Sequence, residues 1–105
     1  MIPPTQITFF QRFEADILNG SKTITIRDQA ESHYLPDSVV DVLTYEMQRW
    51  FAKIRILSVT PITFNQLNQR HASQENMLLS ELKEVIREIY PNETALWVLE
   101  FELIS

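Results

Sequence analysis

Two short polar words hold the side chains whose types could do chemistry. KTITIRD, residues 22–28, places a lysine, a hydroxyl and an arginine within six positions: Lys22, Thr25 and Arg27. Such groups serve as base or cation, as nucleophile, and as an anion contact. Each also has an ordinary structural explanation. Lys22 could be a solvated loop residue, Thr25 could reflect β-propensity alone, and Arg27 could pair on the surface with Asp28, Glu31 or another carboxylate. The second word is RHASQENM, 70–77. It could present Glu75 and Asn76 towards a cleft, or form a solvated interhelix loop in which Asn76 caps the next helix.

Other chemistry is excluded by what the chain lacks. It has no cysteine, which removes disulfides, thiolate metal sites and a cysteine nucleophile. Its single glycine, Gly20, cannot build a Gly-rich phosphate loop. His71 and Glu75 are spaced i, i+4 and would make two metal ligands on a helix, but a third is missing, so no metal site and no cofactor are expected. There is no nucleophile-elbow sequence, and two histidines are poor material for a serine triad.

Local patterning says which elements must position these residues. Phe10, Phe13 and Ile17 recur at helical spacing and predict a helix over 10–18, ended by Asn19-Gly20. A strand over Thr23–Arg27 puts Ile24 and Ile26 on one face and Thr23, Thr25 and Arg27 on the other. Lys22 is three residues from Thr25, so in a regular strand the two would point apart; Lys22 must lie in the preceding turn, or a bulge must intervene. Strands are also predicted at Val39–Thr44, at 50–59 and at Ala95–Leu103, the last with Trp97, Leu99, Phe101 and Leu103 facing one way. Thr63 could cap a short helix reaching Arg70, and Leu79, Leu82, Val85, Ile86 and Ile89 predict a helix over 79–90 stopped by Pro91. The 105 residues make one domain. Short strands mixed with short helices indicate an α+β fold, and a small barrel with flanking helices would remove the exposed sheet edges.

Charge limits the partners. Residues 1–70 carry seven basic and seven acidic side chains, whereas 71–105 carry Lys83 and Arg87 against seven glutamates, which accounts for the net charge of −5. Few cations are free to neutralise phosphates, so weak nucleic-acid binding at most is expected. With no leader-like start and no apolar run of membrane length, a cytoplasmic address without membrane association is the expectation. Nothing in the sequence sets the oligomeric state.

The words ITFFQRFEADILNGSKTITIRD at 7–28, Ser32-His33, HASQENM at 71–77 and LKEVIREIYP at 82–91 together resemble the YqfB family of small bacterial ASCH-domain proteins. The resemblance covers nearly the whole chain and agrees least over about 36–66. It implies a single ASCH domain, 1–105, with a PUA-like barrel, and an amidohydrolase that cleaves the modified nucleoside N(4)-acetylcytidine to cytidine and acetate. The family's catalytic lysine, threonine and glutamate fall on Lys22, Thr25 and Glu75. In those roles Thr25 would attack the acetyl carbon, Lys22 would take its proton and Glu75 would protonate the leaving nitrogen. Arg27 would contact substrate or lower the basicity of Lys22. The alternative is a PUA-like RNA-binding module without catalysis, in which Tyr34, Trp50 and Phe51 could stack on bases.

Overall fold

The computed structural model describes residues 3–104. Among them five strands and three α-helices follow in the order β1 (Gln6–Phe9), α1 (Glu14–Leu18), β2 (Ile24–Arg27), β3 (Val39–Thr44), β4 (Trp50–Thr63), α2 (Gln69–Gln74), α3 (Leu79–Ile89) and β5 (Ala95–Leu103). The strands form one sheet in the order β1-β3-β4-β5-β2. Only β1 and β3 run parallel; the other neighbours are antiparallel.

Patterning placed β3, β5 and α3 within a residue of their observed limits, because each has a clean apolar period. Elsewhere tertiary pairing overrode it. The 10–18 helix is shorter than expected: Phe10 is extended, Gln11–Phe13 is a 3-10 turn, and α1 begins only at Glu14. β1 gave no signal, since four residues beside Pro3-Pro4 are too few to show alternation. The expected strand over 50–59 continues to Thr63 because β5 pairs with it from Ile54↔Leu103 to Thr63↔Ala95. Pro61 is tolerated there because the β3 pairing ends at Arg55, leaving that side of β4 without a ladder that needs its missing N–H.

The helix expected from Thr63 to Arg70 is two pieces. Thr63 caps a 3-10 turn over Phe64–Gln66, its N–H donating to Gln66 Oε1 at 2.9 Å. The chain then turns extended at Leu67, and the Asn68 side chain caps α2 by accepting from Arg70 N at 2.9 Å.

Two apolar clusters lie on the two faces of the sheet. One holds Ile7, Phe9, Val40, Val42, Ala52, Ile54, Ile56, Leu99 and Phe101. The other joins Ile24, Ile26 and Leu96 to Leu67, Ala72, Leu82 and Ile86 under α2 and α3. β2 is therefore buried on both faces, and all four of its residues are inside.

The expected barrel does not close. β1 and β2 end the sheet with no ladder between them among the described residues. The sheet nonetheless curls far enough for a side chain to span the gap: Arg27 Nη2 donates to the Thr8 carbonyl at 2.7 Å. An arginine thus stands where backbone pairing would have sealed the seam.

Candidate active site

The turn that carries Lys22 is built from local rules. α1 ends with Gly20 at φ +82°, a left-handed conformation that glycine adopts without penalty. The Ser21 N–H then donates to Asn19 Oδ1 at 2.8 Å and the Lys22 N–H to the Asp16 carbonyl at 3.0 Å. Lys22 lies in this turn, ahead of β2, so the strand's alternation does not separate it from Thr25.

Glu75 reaches the same place from far along the chain. It follows α2 as the C-cap, and Asn76, at φ +58°, turns the chain away. Asn76 does not cap the next helix; the N-cap of α3 is Leu78, which supplies no side-chain bond. The Thr23 N–H donates to the Gln74 carbonyl at 2.8 Å, which fixes the end of α2 against the turn before β2. Glu75 Oε1 therefore faces Lys22 Nζ as a buried ion pair, and no other donor serves that oxygen among the described residues. Lys22 is 3% and Glu75 4% exposed. A solvated-loop reading of either residue is thereby excluded.

Thr25 and Arg27 share the opposite face of β2 from Ile24 and Ile26, as alternation requires, and are 5% and 9% exposed. Each guanidinium nitrogen of Arg27 has its own acceptor. Nε donates to Thr25 Oγ1 at 3.0 Å, Nη1 to Glu31 Oε1 at 2.6 Å and Nη2 to the Thr8 carbonyl at 2.7 Å. The group also lies 4.9 Å from the centre of the Phe9 ring. Lys22 Nζ is 5.7 Å and 5.0 Å from the ring centres of Phe9 and Phe13.

Burial drives Lys22 down from the ordinary lysine range to about 7, with the Arg27 charge acting the same way and Asp16 opposing. Lysine is thus brought to where a base is half neutral near pH 7.

These groups line one cleft at the open seam, where β1, β2 and α3 meet. Lys22, Thr25, Arg27, Glu31 and Glu75 supply its polar groups, and Phe9, Phe10, Phe13, Tyr45, Val85, Ile86 and Ile89 line it with them. It encloses about 160 Å³, well under the roughly 300–1,000 Å³ of sites that engulf drug-sized ligands. A recess of that size has room for a small group only.

No group of three His, Asp or Glu side chains that could hold a metal is found among the described residues. No helix there is long and apolar enough to cross a membrane.

The chain matches the ASCH domain family over residues 5–105. It belongs to that family. This ASCH domain is 58% identical over 100 residues to an N(4)-acetylcytidine amidohydrolase of Pasteurella multocida, covering 95% of this chain and 96% of the relative. It is 55% identical over 104 residues to a protein of the same name from Vibrio vulnificus, covering 99% and 100%. Among solved structures, the ASCH domain of Lactobacillus crispatus superposes with a TM-score of 0.77 at 15% identity, over 96% of this chain and 80% of that one. The Zymomonas mobilis ASCH protein gives 0.74 at 12%, over 94% and 68%. At such identities the structures establish the shared fold.

Sequence reasoning missed the walls of the cleft. Val85 and Ile89 read as part of the core stripe of α3, Phe10 and Phe13 as residues of the expected 10–18 helix, and Phe9 carried no reading. One signal was available: the α3 stripe, from Leu79 to Ile89, is wider than Leu82 and Ile86 alone need for packing. Of the aromatics considered for base stacking, Tyr34 is buried with its hydroxyl donating to the Gln6 carbonyl at 2.7 Å, and Phe51 packs against the cluster of Ile54 and Ile56. Trp50 is exposed, its Nε1 donating to Asp41 at 3.0 Å.

Proposed function

We propose that this ASCH domain hydrolyses N(4)-acetylcytidine to cytidine and acetate, with Thr25 as nucleophile, Lys22 as base and Glu75 as acid. The observation that carries the reading is the buried Lys22–Glu75 pair beside Thr25 in one small cleft, in a chain more than half identical to relatives bearing that name.

Above its ionisation Lys22 is a neutral amine beside the Glu75 carboxylate, and a proton taken up by Nζ can pass across that contact to the carboxylate. Glu75 thus becomes the acid after Lys22 has acted as the base. The amine takes the Thr25 proton as Oγ1 bonds to the acetyl carbon, and the carbonyl π electrons move to oxygen. The intermediate then collapses: the carbonyl re-forms, the bond to N4 breaks, and the Glu75 proton goes to the departing cytosine. Water attacks the acetyl-threonine ester, giving up one proton to Glu75; that proton passes back through Lys22 to Oγ1 as the ester bond breaks, and acetic acid leaves and ionises to acetate. Acetylcytosine occupies the cleft and the ribose sits at its mouth, which suits the cleft's small volume.

The test is incubation with N(4)-acetylcytidine and chromatography for cytidine. Thr25→Ala should abolish turnover and Thr25→Ser should keep part of it, since the hydroxyl survives without the methyl that restricts its rotamer. Near-normal rates in Thr25→Ala would show that the threonine is not the nucleophile.

A further inference from the structure

We propose that Arg27 is a positioning residue, a strut across the open seam that fixes the direction of the Thr25 hydroxyl without touching the substrate. The inference rests on the reading of Thr25 as nucleophile.

A guanidinium donates hydrogen bonds and accepts none. Because Arg27 Nε donates to Thr25 Oγ1, that oxygen is the acceptor and its own proton is turned away from Arg27, in a cleft that Thr25 shares with Lys22 and Glu75. The guanidinium is itself held by Glu31, by the Thr8 carbonyl on the opposite sheet edge and by the Phe9 ring. Planar attachment at three nitrogens fixes its orientation as an ammonium could not. Three of its five N–H donors, one on each nitrogen, are held by protein acceptors, so the protein and not a ligand sets the position of the group.

The same cation acts on Lys22. Around that lysine stand Asp16 from α1, Arg27 from β2 and Glu75 from the end of α2, with the Phe9 and Phe13 rings. α3 presents Leu82, Val85, Ile86 and Ile89 to the cleft, with no charge among them, and the hydroxyl-bearing Tyr45 and Tyr90 complete the lining. Arg27 is thus the positive charge that helps keep the base neutral, while Glu31 offsets part of it.

Steady-state kinetics on N(4)-acetylcytidine from pH 5 to 10 separate the two effects. Arg27→Gln should lower kcat by about 100-fold, the scale of a misplaced reacting group, leave KM unchanged and move the rising limb of the pH profile to higher pH. Arg27→Lys keeps the charge but not the fork, so it should retain the wild-type limb while still losing most of kcat. Glu31→Gln should shift the limb slightly the other way. A raised KM with kcat retained would make Arg27 a substrate contact and overturn the proposal. So would wild-type kcat and an unmoved limb in Arg27→Lys and Arg27→Gln. Thr25→Ala, run alongside, reports on the nucleophile separately: activity there would refute the underlying reading, whereas an inactive Thr25→Ala beside fully active Arg27 variants refutes only the strut.

Discussion

At the scale of single residues, this fold places a lysine and a glutamate inside it that a stable protein of this size has no structural need to bury. Replacing a buried ion pair by uncharged groups of similar shape is often neutral or stabilising, by about 1–4 kcal/mol, whereas removing one partner strands the other. Lys22→Met with Glu75→Gln should therefore match or exceed the wild-type melting temperature while losing all activity, and Lys22→Met alone should melt lower. Calorimetry on the three proteins decides it. Titration adds a sign. Folded Lys22 ionises near 7 and the unfolded lysine near 10.5, so between those values the unfolded chain binds more protons and stability rises with pH. Below about 7 the burden of burying a charge is fully present. The rate should likewise climb through an ionisation near 7, and Lys22→Arg should be nearly as inactive as Lys22→Ala, because arginine stays charged. A Lys22→Arg enzyme within about tenfold of wild type, about 1.4 kcal/mol of barrier, would remove the base assignment.

At the scale of elements, the site depends on two chain reversals and one helix with two tasks. Gly20 has open space where a Cβ would sit, so only its φ of +82° opposes substitution. Gly20→Ala should destabilise by about 1–2 kcal/mol, the strain of a left-handed side chain, lowering the melting temperature by about 4–8 °C per kcal/mol. In α3, Ile86 is buried in the sheet–helix core while Ile89 is 40% exposed at the cleft. Ile86→Ala should cost about 2–5 kcal/mol. Ile89→Ala should leave stability nearly intact and raise KM, measured by thermal melts beside kinetics. Equal effects on stability would mean that the helix face is not divided between core and cleft.

At the scale of the whole molecule, the cleft exists because the sheet curls without closing. An edge strand exposes unpaired backbone groups, which proteins ordinarily pair or cover. Here β1 and β2 remain apart, spanned by Arg27 and flanked by α3, and the gap becomes a small recess with polar groups in its lining. The charge distribution sets what approaches it. Net charge −5, with the excess in the last third of the chain, should make binding of unmodified RNA weak and steeply salt-dependent. Fluorescence anisotropy with a labelled single strand tests this; tight binding at physiological salt would favour an RNA-binding role.

Much of this was legible in one dimension. Apolar period two marked β3 and β5, and period 3.6 marked α3, since those elements bury a face whose pattern is written locally. Asn19-Gly20 ended α1 for a backbone reason carried by glycine alone, and the spacing of Lys22 and Thr25 already required the lysine to sit outside the strand. Residue types, aided by resemblance, singled out Lys22, Thr25, Arg27 and Glu75. What those residues amount to was decided in three dimensions. Glu75 meets Lys22 across 53 positions of chain only because the Gln74 carbonyl takes the Thr23 N–H. The lowered basicity of Lys22 comes from burial, with Phe9 and Phe13 beside it, and from the Arg27 charge, none of them adjacent to it in sequence. β1, the extension of β4 past Val59 and the open seam all depend on partners that a local pattern does not contain. Periodicity records which face of an element is buried; it does not record against what, and a catalytic environment is made of the second.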